Sequence, residues 1–481
     1  LATKRDDSDD ATVEITAVST HLIVSPHTPA NQLRAYMGYF HLDDGLLNRI
    51  WCAGVYMGQL CHIYANESRA NPPAITSYDR FNNATIVGLS ADGEAYVDGA
   101  KRDRTPWPGD FGVSTLPKLV ALNRDNLDSV GNSIASLYKL QSKGMSSYAG
   151  SPMGERIVAA NSTSDTYHLW TLIAMTDHTA LSGNSTIMKS LWNQIVLGMT
   201  TRLDKVNASD SLLNMTGSYD WGYTGQGDKN ITDNVLLYCA LVMCVEIAEN
   251  LRLKDNTTTT LHPQDGNVLA VRFNVTQSPE QAVQISKAGE CHGCDEHLAP
   301  LVGVHAHALQ QLDTDRRILR DGELEYPFYG IGFGAYISHA YAWSTGSAAS
   351  LTLQVSGLAF VSDAGKIWCF QPHAVGSGVN SVETGCTLAT GAFSVEWTAV
   401  TNSSKFFRAA LTTPDGTMGS ISMPTFGISL SKLQTSINGD TIWTRNQTRS
   451  TKFSAVTTTQ NFATFANTSG CGVYHILAEQ L

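Results

Sequence analysis

From residue 43 onward apolar positions recur at helical spacing. Leu46, Leu47, Ile50, Trp51, Tyr56 and Leu60 follow the acidic pair Asp43–Asp44, which marks a helix N-terminus. The same period predicts helices near 112–123, 126–142, 164–181, 185–206, 232–252, 278–289 and 298–319, with a short one near 333–347. The segment at 278 carries Ser278 as N-cap, Pro279 at the first helical position and Gln281 to complete a capping box. Ahead of these, a polar start followed by Val13, Ile15, Val18, Leu22, Ile23 and Val24 reads as strands or a linker. After residue 350 the period drops to two: Leu351, Leu353 and Val355, then Phe393, Val395 and Trp397, alternate with small or polar residues between turns. Many short strands without intervening helices suggest an antiparallel β-sandwich. The pattern divides the chain into an extended segment or remnant of a β domain (1–40), a helical domain (41–348) and a C-terminal β domain (349–481).

Composition narrows the class. The chain has 481 residues, 42% of them hydrophobic and 16% charged, which fits folded domains with a large core. A net charge of −11 argues against nucleic acid as a partner, because phosphate binding needs a basic surface. No run of eighteen uninterrupted apolar residues is present, so no membrane span is expected. The chain opens at Leu1, which suggests processing or truncation and leaves no signal peptide to read. Asn-x-Ser/Thr occurs at Asn66, Asn83, Asn161, Asn184, Asn207, Asn214, Asn230, Asn256, Asn274, Asn402, Asn446 and Asn467. Twelve sequons spread over the whole length point to N-linked glycans and secretion.

In such a compartment Cys369 and Cys386 could pair as a disulfide. Cys52 and Cys61 lie about 13 Å apart along a helix, too far to bridge. Cys291-His292-Gly293-Cys294 has no second ligand pair at zinc-finger spacing, so a loop disulfide or free thiols are the plainer reading, and no metal is expected.

The densest chemistry lies at 98–110. Asp98, Asp103 and Asp110 fall within thirteen residues together with Lys101, Arg102, Arg104 and Trp107, among Gly and Pro. Carboxylates can accept hydrogen bonds from sugar hydroxyls, an indole offers an apolar face to a pyranose, and one carboxylic acid can protonate a leaving oxygen. Arg102 and Arg104 can hold neighbouring carboxylates ionised. A solvated, salt-bridged loop has the same composition, and composition alone does not choose between the two.

This stretch resembles the signature of α-L-rhamnosidases, glycoside hydrolase family 78, and their fungal relatives. That signature runs approximately Asp-x-x-x-Arg-Asp/Glu-(x)-Arg-x-x-Trp-x-Gly-Asp. The resemblance continues in order through Ala35–Tyr56 (AYMGYFHLDDGLLNRIWCAGVY), Ser164–Ile173 (SDTYHLWTLI), Asn214–Gly222 (NMTGSYDWG), Leu261–Asn267 (LHPQDGN) and Tyr336–Gly346 (YISHAYAWSTG), covering about residues 35 to 400. It implies a mainly α fold, an (α/α)6 toroid followed by the β-sandwich. It also implies a carbohydrate substrate, terminal α-L-rhamnose on plant glycosides or polysaccharides, and an inverting acid/base mechanism. Two carboxylates suffice for that chemistry, so no cofactor is expected.

By this likeness Asp103 is the general acid. Asp98 and Asp110 bind hydroxyls or tune Asp103, Arg102 orients the group, and Trp107 packs on the sugar. Tyr167, His168 and Trp170 line the pocket from one helix, with Tyr167 and Trp170, three apart, sharing a face. Asp220 with Trp221, and His339 with Trp343, line the other sides. For any one aromatic or histidine taken alone, core packing would be the better reading.

An inverting enzyme also needs a base about 6.5–9.5 Å from the acid. In relatives it is a Glu just before a turn that survives here as Asp321–Tyr326, yet Arg316–Arg320 contains no carboxylate. Glu325, Glu323, Asp321 and Asp315 are the local candidates, with Glu325 placed first. The junctions at Glu249–Lys254 and 316–320 look shortened against the family pattern, which would leave the barrel incomplete. Three readings stay open: a rhamnosidase, a six-hairpin hydrolase of another sugar, and a sugar-binding relative that has lost its base.

Overall fold

The computed structural model describes residues 36–64, 93–99, 105–122, 128–150, 163–215, 228–250, 341–360, 363–375, 377–401, 405–444, 461–470 and 472–481, with the short pieces 16–18, 91, 447–448 and 456–458. The helical half begins where the acidic pair predicts. Asp44 is the N-cap of α1 (Gly45–Leu60), its carboxylate accepting from the Leu46 and Leu47 amides at 2.7 and 3.1 Å. Next come α2 (Pro108–Ala121), α3 (Asp128–Lys139), α4 (Asp165–Ser182), α5 (Thr186–Ser190), α6 (Trp192–Leu203) and α7 (Ile231–Asn250). The helix expected over 185–206 is thus two pieces that meet at Leu191.

Helix α4 packs between α2 and α7 and is buried almost all round, so its polar positions need internal partners. At its first turn Asp165 pairs with Arg202 from the last turn of α6, both side chains fully buried. Lys205 lies 3.7 Å from the same carboxylate, and the buried Asp233 of α7 adds a second negative charge that favours the guanidinium. This network ties three helices together at one end.

Residues 342–355 run as a 3-10 turn (Ala342–Thr345), a short helix α8 (Gly346–Ala349) and a π-type stretch (Ser350–Val355). The alternation of Leu351, Leu353 and Val355 reads as strand, yet the segment is helical. Thr352 is buried as well, its hydroxyl accepting from the Trp51 indole at 2.8 Å, so burial here is not confined to every second residue.

Fifteen strands are present among the described residues. β1 (Tyr39–Leu42) comes from the N-terminal side, and β2 (His62–Tyr64) and β3 (Glu94–Tyr96) form a hairpin in the helical half. The rest follow as β4 (Leu358–Phe360), β5 (Ile367–Phe370), β6 (Ser381–Leu388), β7 (Gly391–Val400), β8 (Phe406–Thr413), β9 (Met418–Pro424), β10 (Leu433–Ile437), β11 (Asp440–Thr444), β12 (Gln447–Thr448), β13 (Val456–Thr458), β14 (Phe462–Ser469) and β15 (Gly472–Gln480). The larger sheet runs β1-β6-β7-β8-β15-β10-β11-β12, antiparallel throughout. The smaller runs β13-β14-β9-β5-β4 and departs from the antiparallel expectation at one pair, the parallel β5 (Ile367–Phe370) and β9 (Met418–Pro424). The two sheets share a core in which Phe370 of the smaller faces Phe407 of the larger, 6.3 Å between rings. The same core takes in Trp51 of α1 and Leu119 and Val120 of α2, joining the sandwich to the first helices.

Among the described residues eight α-helices are present and they close no ring; the segments 278–289 and 298–319 lie outside the described residues. Cys369 and Cys386 are both free thiols, on β5 and β6, and do not pair. Burial pushes the Cys386 thiol up to about 12. Cys291 and Cys294 lie outside the described residues, and no cluster of metal-ligating side chains is found among those described. No described helix is long and apolar enough to cross a membrane. Of the sequons, Asn207 and Asn214 are exposed and Asn184 and Asn230 half-buried. Asn467 falls in β14, and the other seven lie outside the described residues.

Candidate active site

The acidic run around residue 100 is pinned at its two ends. Asp98 and Thr105 bond reciprocally, the Asp98 amide donating to the Thr105 carbonyl at 3.0 Å and the Thr105 amide to the buried Asp98 carboxylate at 2.9 Å. Asp98 therefore closes the neck of the loop, and its backbone carbonyl accepts from Ala342 at 2.9 Å. Arg102 and Asp103 lie outside the described residues, as do Asp220, Trp221, Glu325 and His339.

Helix α2 then starts abruptly. Pro108 at its first position has the φ a helix needs, and Trp107 is an N-cap with extended backbone (φ −118°) whose side chain makes no capping bond. The indole instead meets Tyr148 and Tyr167 edge-on, at 5.4 and 5.8 Å, while the two tyrosines lie 4.8 Å apart. Asp110 sits in the first turn, where the helix dipole favours a negative charge, and accepts from the Trp343 amide at 3.2 Å. Trp343 packs beside Tyr341, 6.3 Å between rings, and Tyr341 is held against Gly99 by a β-bridge.

Helix α4 supplies the adjoining wall. Ser164 caps it by accepting from the Tyr167 amide, and Tyr167 and Trp170 face α2. Gly112 makes that approach possible, since a Cβ there would lie 1.9 Å from the Trp170 ring. Gly112→Ala is expected to drive the indole aside and cost about 1–3 kcal/mol in overpacking. Urea unfolding followed by tryptophan fluorescence would read both effects, and a native emission maximum in the variant would contradict them.

The structure thus gathers Trp107, Asp110, Tyr167, Trp170 and Trp343 from three separate segments; Tyr167 is buried, and Trp107, Asp110, Trp170 and Trp343 are part-buried. His168 is not among them. One position along α4 it turns into the helical layer, fully buried against Gly198 of α6, and its Nδ1 faces the Ser146 amide and hydroxyl, each at 3.1 Å. Burial lowers its pKa to about 4, so it is neutral at ordinary pH and reads as a core histidine. Asp98 likewise reads as the loop's clasp. Tyr148 and Tyr341 join the wall without having been singled out in the sequence. Tyr341 stands two residues before Trp343, whereas Tyr148 sits in a polar loop with no periodic signal.

A wall of aromatic faces with a carboxylate at its foot can hold a ring that is apolar on one face and hydroxylated at its edge. The comparisons with solved structures bear on the fold. The chain is similar to the α-L-rhamnosidase from Dictyoglumus thermophilum, with a TM-score of 0.58, 14% identity and 92% of this chain covered. It is similar to that of Streptomyces avermitilis, solved with L-rhamnose, with a TM-score of 0.55, 12% identity and 92% covered. The Aspergillus terreus α-L-rhamnosidase gives a TM-score of 0.54, 14% identity and 91% covered. The match spans 50%, 42% and 50% of those chains, about half their length. At such identities the likeness establishes the fold, which resembles that of the family 78 α-L-rhamnosidases. No protein-family model and no curated protein sequence matches the chain.

Proposed function

We propose that the chain is a secreted, N-glycosylated glycoside hydrolase that releases terminal α-L-rhamnose from plant glycosides or polysaccharides. The observation that carries the reading is the convergence of Trp107, Asp110, Trp170 and Trp343 on one wall, within a fold shared with rhamnosidases. In this scheme Asp103 gives its proton to the glycosidic oxygen, and the aglycone leaves as an alcohol. A carboxylate across the ring, Glu325 in this proposal, takes a proton from water, whose oxygen bonds to the anomeric carbon from the opposite face. Arg102 orients the acid, and the helical half is built on the family's (α/α)6 toroid, shortened at the junctions Glu249–Lys254 and 316–320.

The full chain, produced in a glycosylating secretory host, is expected to cleave an aryl α-L-rhamnoside and not the matching aryl glucoside or galactoside. The sugar first released, followed by NMR, should carry the inverted anomeric configuration. Cleavage of another aryl glycoside in its place would move the proposal to a different sugar, and an initially retained anomer would overturn the inverting scheme.

One observation favours a second reading. Arg316–Arg320 holds no carboxylate where relatives place the base, which suits a sugar-binding relative without turnover. Rhamnose quenching the tryptophan fluorescence of a chain that releases no aglycone would establish that reading.

A further inference from the structure

The sandwich carries a second face with binding chemistry, remote in sequence from the aromatic wall. Across the larger sheet the register aligns His41, Glu383, Glu396, Ala410 and His475 on five adjacent strands, one row pointing away from the shared core. Glu383, Glu396 and His475 are exposed. Beside that row the surface sinks into a groove of about 420 Å³, lined by Glu396, Thr398, Arg408, Ala410, Ser436 and His475 among others. Its floor at Ala410 is small, and among the described residues no ion pair takes up the Arg408 guanidinium or the Glu396 carboxylate.

At the other end of the face Tyr39 lies flat. Gly385, its cross-strand partner, lets the ring rest on the sheet, since a Cβ there would stand 2.6 Å from the ring. Tyr39 keeps 43% of its surface exposed, and its hydroxyl reaches Ser394 on the next strand. A flat, open aromatic ring fixed beside two carboxylates offers stacking at its face and acceptors at its edge.

The mixture of groups selects the ligand. An anion would meet Glu383 and Glu396, and a cation would meet Arg408, so neither is suited. A protein partner would want an apolar centre, and Arg408, Glu396 and Thr398 are all exposed and polar. A neutral polyhydroxyl chain fits all of them, because each hydroxyl both donates to a carboxylate and accepts from a guanidinium, while its C–H faces rest on Tyr39 and Ala410.

We propose that the outer face of the larger sheet, from Tyr39 to His475, is a carbohydrate-binding site for a segment of neutral glycan chain, separate from the aromatic wall of the helical half. It does not rest on the proposed hydrolysis, since a chain without turnover would still hold glycan there.

The test applies the fluorescently labelled full chain to an array of immobilised neutral polysaccharides. The wild type is expected to be retained on at least one of them. Arg408→Ala and Glu396→Gln, each removing one charge-assisted partner, should weaken that retention about tenfold. Ala410→Arg, which fills the groove, should abolish it. All three positions face solvent at least in part, and unchanged melting midpoints would show that the fold is kept. Retention that survives all three substitutions, or a wild-type chain that is retained nowhere, overturns the proposal.

Discussion

Replacing Asp103 by Asn is expected to lower the hydrolysis of a rhamnosyl disaccharide by about 10²–10⁴-fold, the usual contribution of a positioned general acid. The loss should depend on the leaving group. An alkoxide leaves poorly without a proton, so a sugar aglycone feels the full deficit. A nitrophenolate leaves unaided, and its rhamnoside should lose far less, so the ratio of the two losses reports protonation and separates it from a general disturbance of the site. The pH profile supplies a second signature. The alkaline fall in kcat/KM, set by deprotonation of the acid, should vanish in the variant, while the acid limb set by the base persists. Equal losses on both substrates with an unchanged profile would mean that Asp103 is not the acid. Asp110 predicts a different pattern. It bonds the Trp343 backbone and stands in the first turn of α2, so Asp110→Asn should act mainly through KM, by loosening the wall rather than by withholding a proton.

How far the sequence discloses such a site depends on what each residue answers to. The start of α1 was legible because capping is local: Asp44 needs only the next three residues to do its work. That Tyr167 and Trp170 share a face was legible too, since a spacing of three places both on one side of any helix. His168, one step along, is turned by the same geometry into the layer between α4 and α6. Membership of a promising segment could not override that rotation. Leu351, Leu353 and Val355 misled for a related reason. Period two signals a strand only when the alternate residues face water, and here Thr352 is as buried as its neighbours. The parallel contact of β5 and β9 and the free thiols of Cys369 and Cys386 depend on sheet order, a long-range choice that no short window encodes. Tyr148 shows the same limit at the site. It reaches Trp107 and Tyr167 only because the chain after α3 folds back on the start of α2, where the Gly150 amide donates to the Pro106 carbonyl at 2.8 Å.

Lys118, two turns further along α2, should make stability depend on alkaline pH. Its side chain is fully buried, with Nζ hydrogen-bonded to the Ser129 hydroxyl and 4.5 Å from the centre of the Tyr96 ring. Desolvation pulls its pKa from 10.5 down to about 7, against the opposing pull of Glu94, Cys61 and Asp128. Below pH 7 folded and unfolded chains both hold the proton, and the cost of burying the cation is felt in full. Between about 7 and 10.5 the unfolded chain keeps the proton and the folded one releases it, so stability climbs with pH across that window. At about 1.4 kcal/mol per unit the full climb is on the order of 5 kcal/mol. Lys118→Met removes the titration while nearly keeping the volume, so its stability should stay flatter over the same range. At pH 6 the variant should be the more stable, having no cation to bury. By pH 9.5 most of that gap should close, by about 3.5 kcal/mol, because the wild type has by then shed most of the cost of burying the cation. Titrating groups that do not act on Lys118 are common to both proteins and drop out of the difference. Urea unfolding of the pair at pH 6 and 9.5 is therefore the measurement, and a stability difference that is the same at both pH values would mean that Lys118 keeps its proton inside the fold.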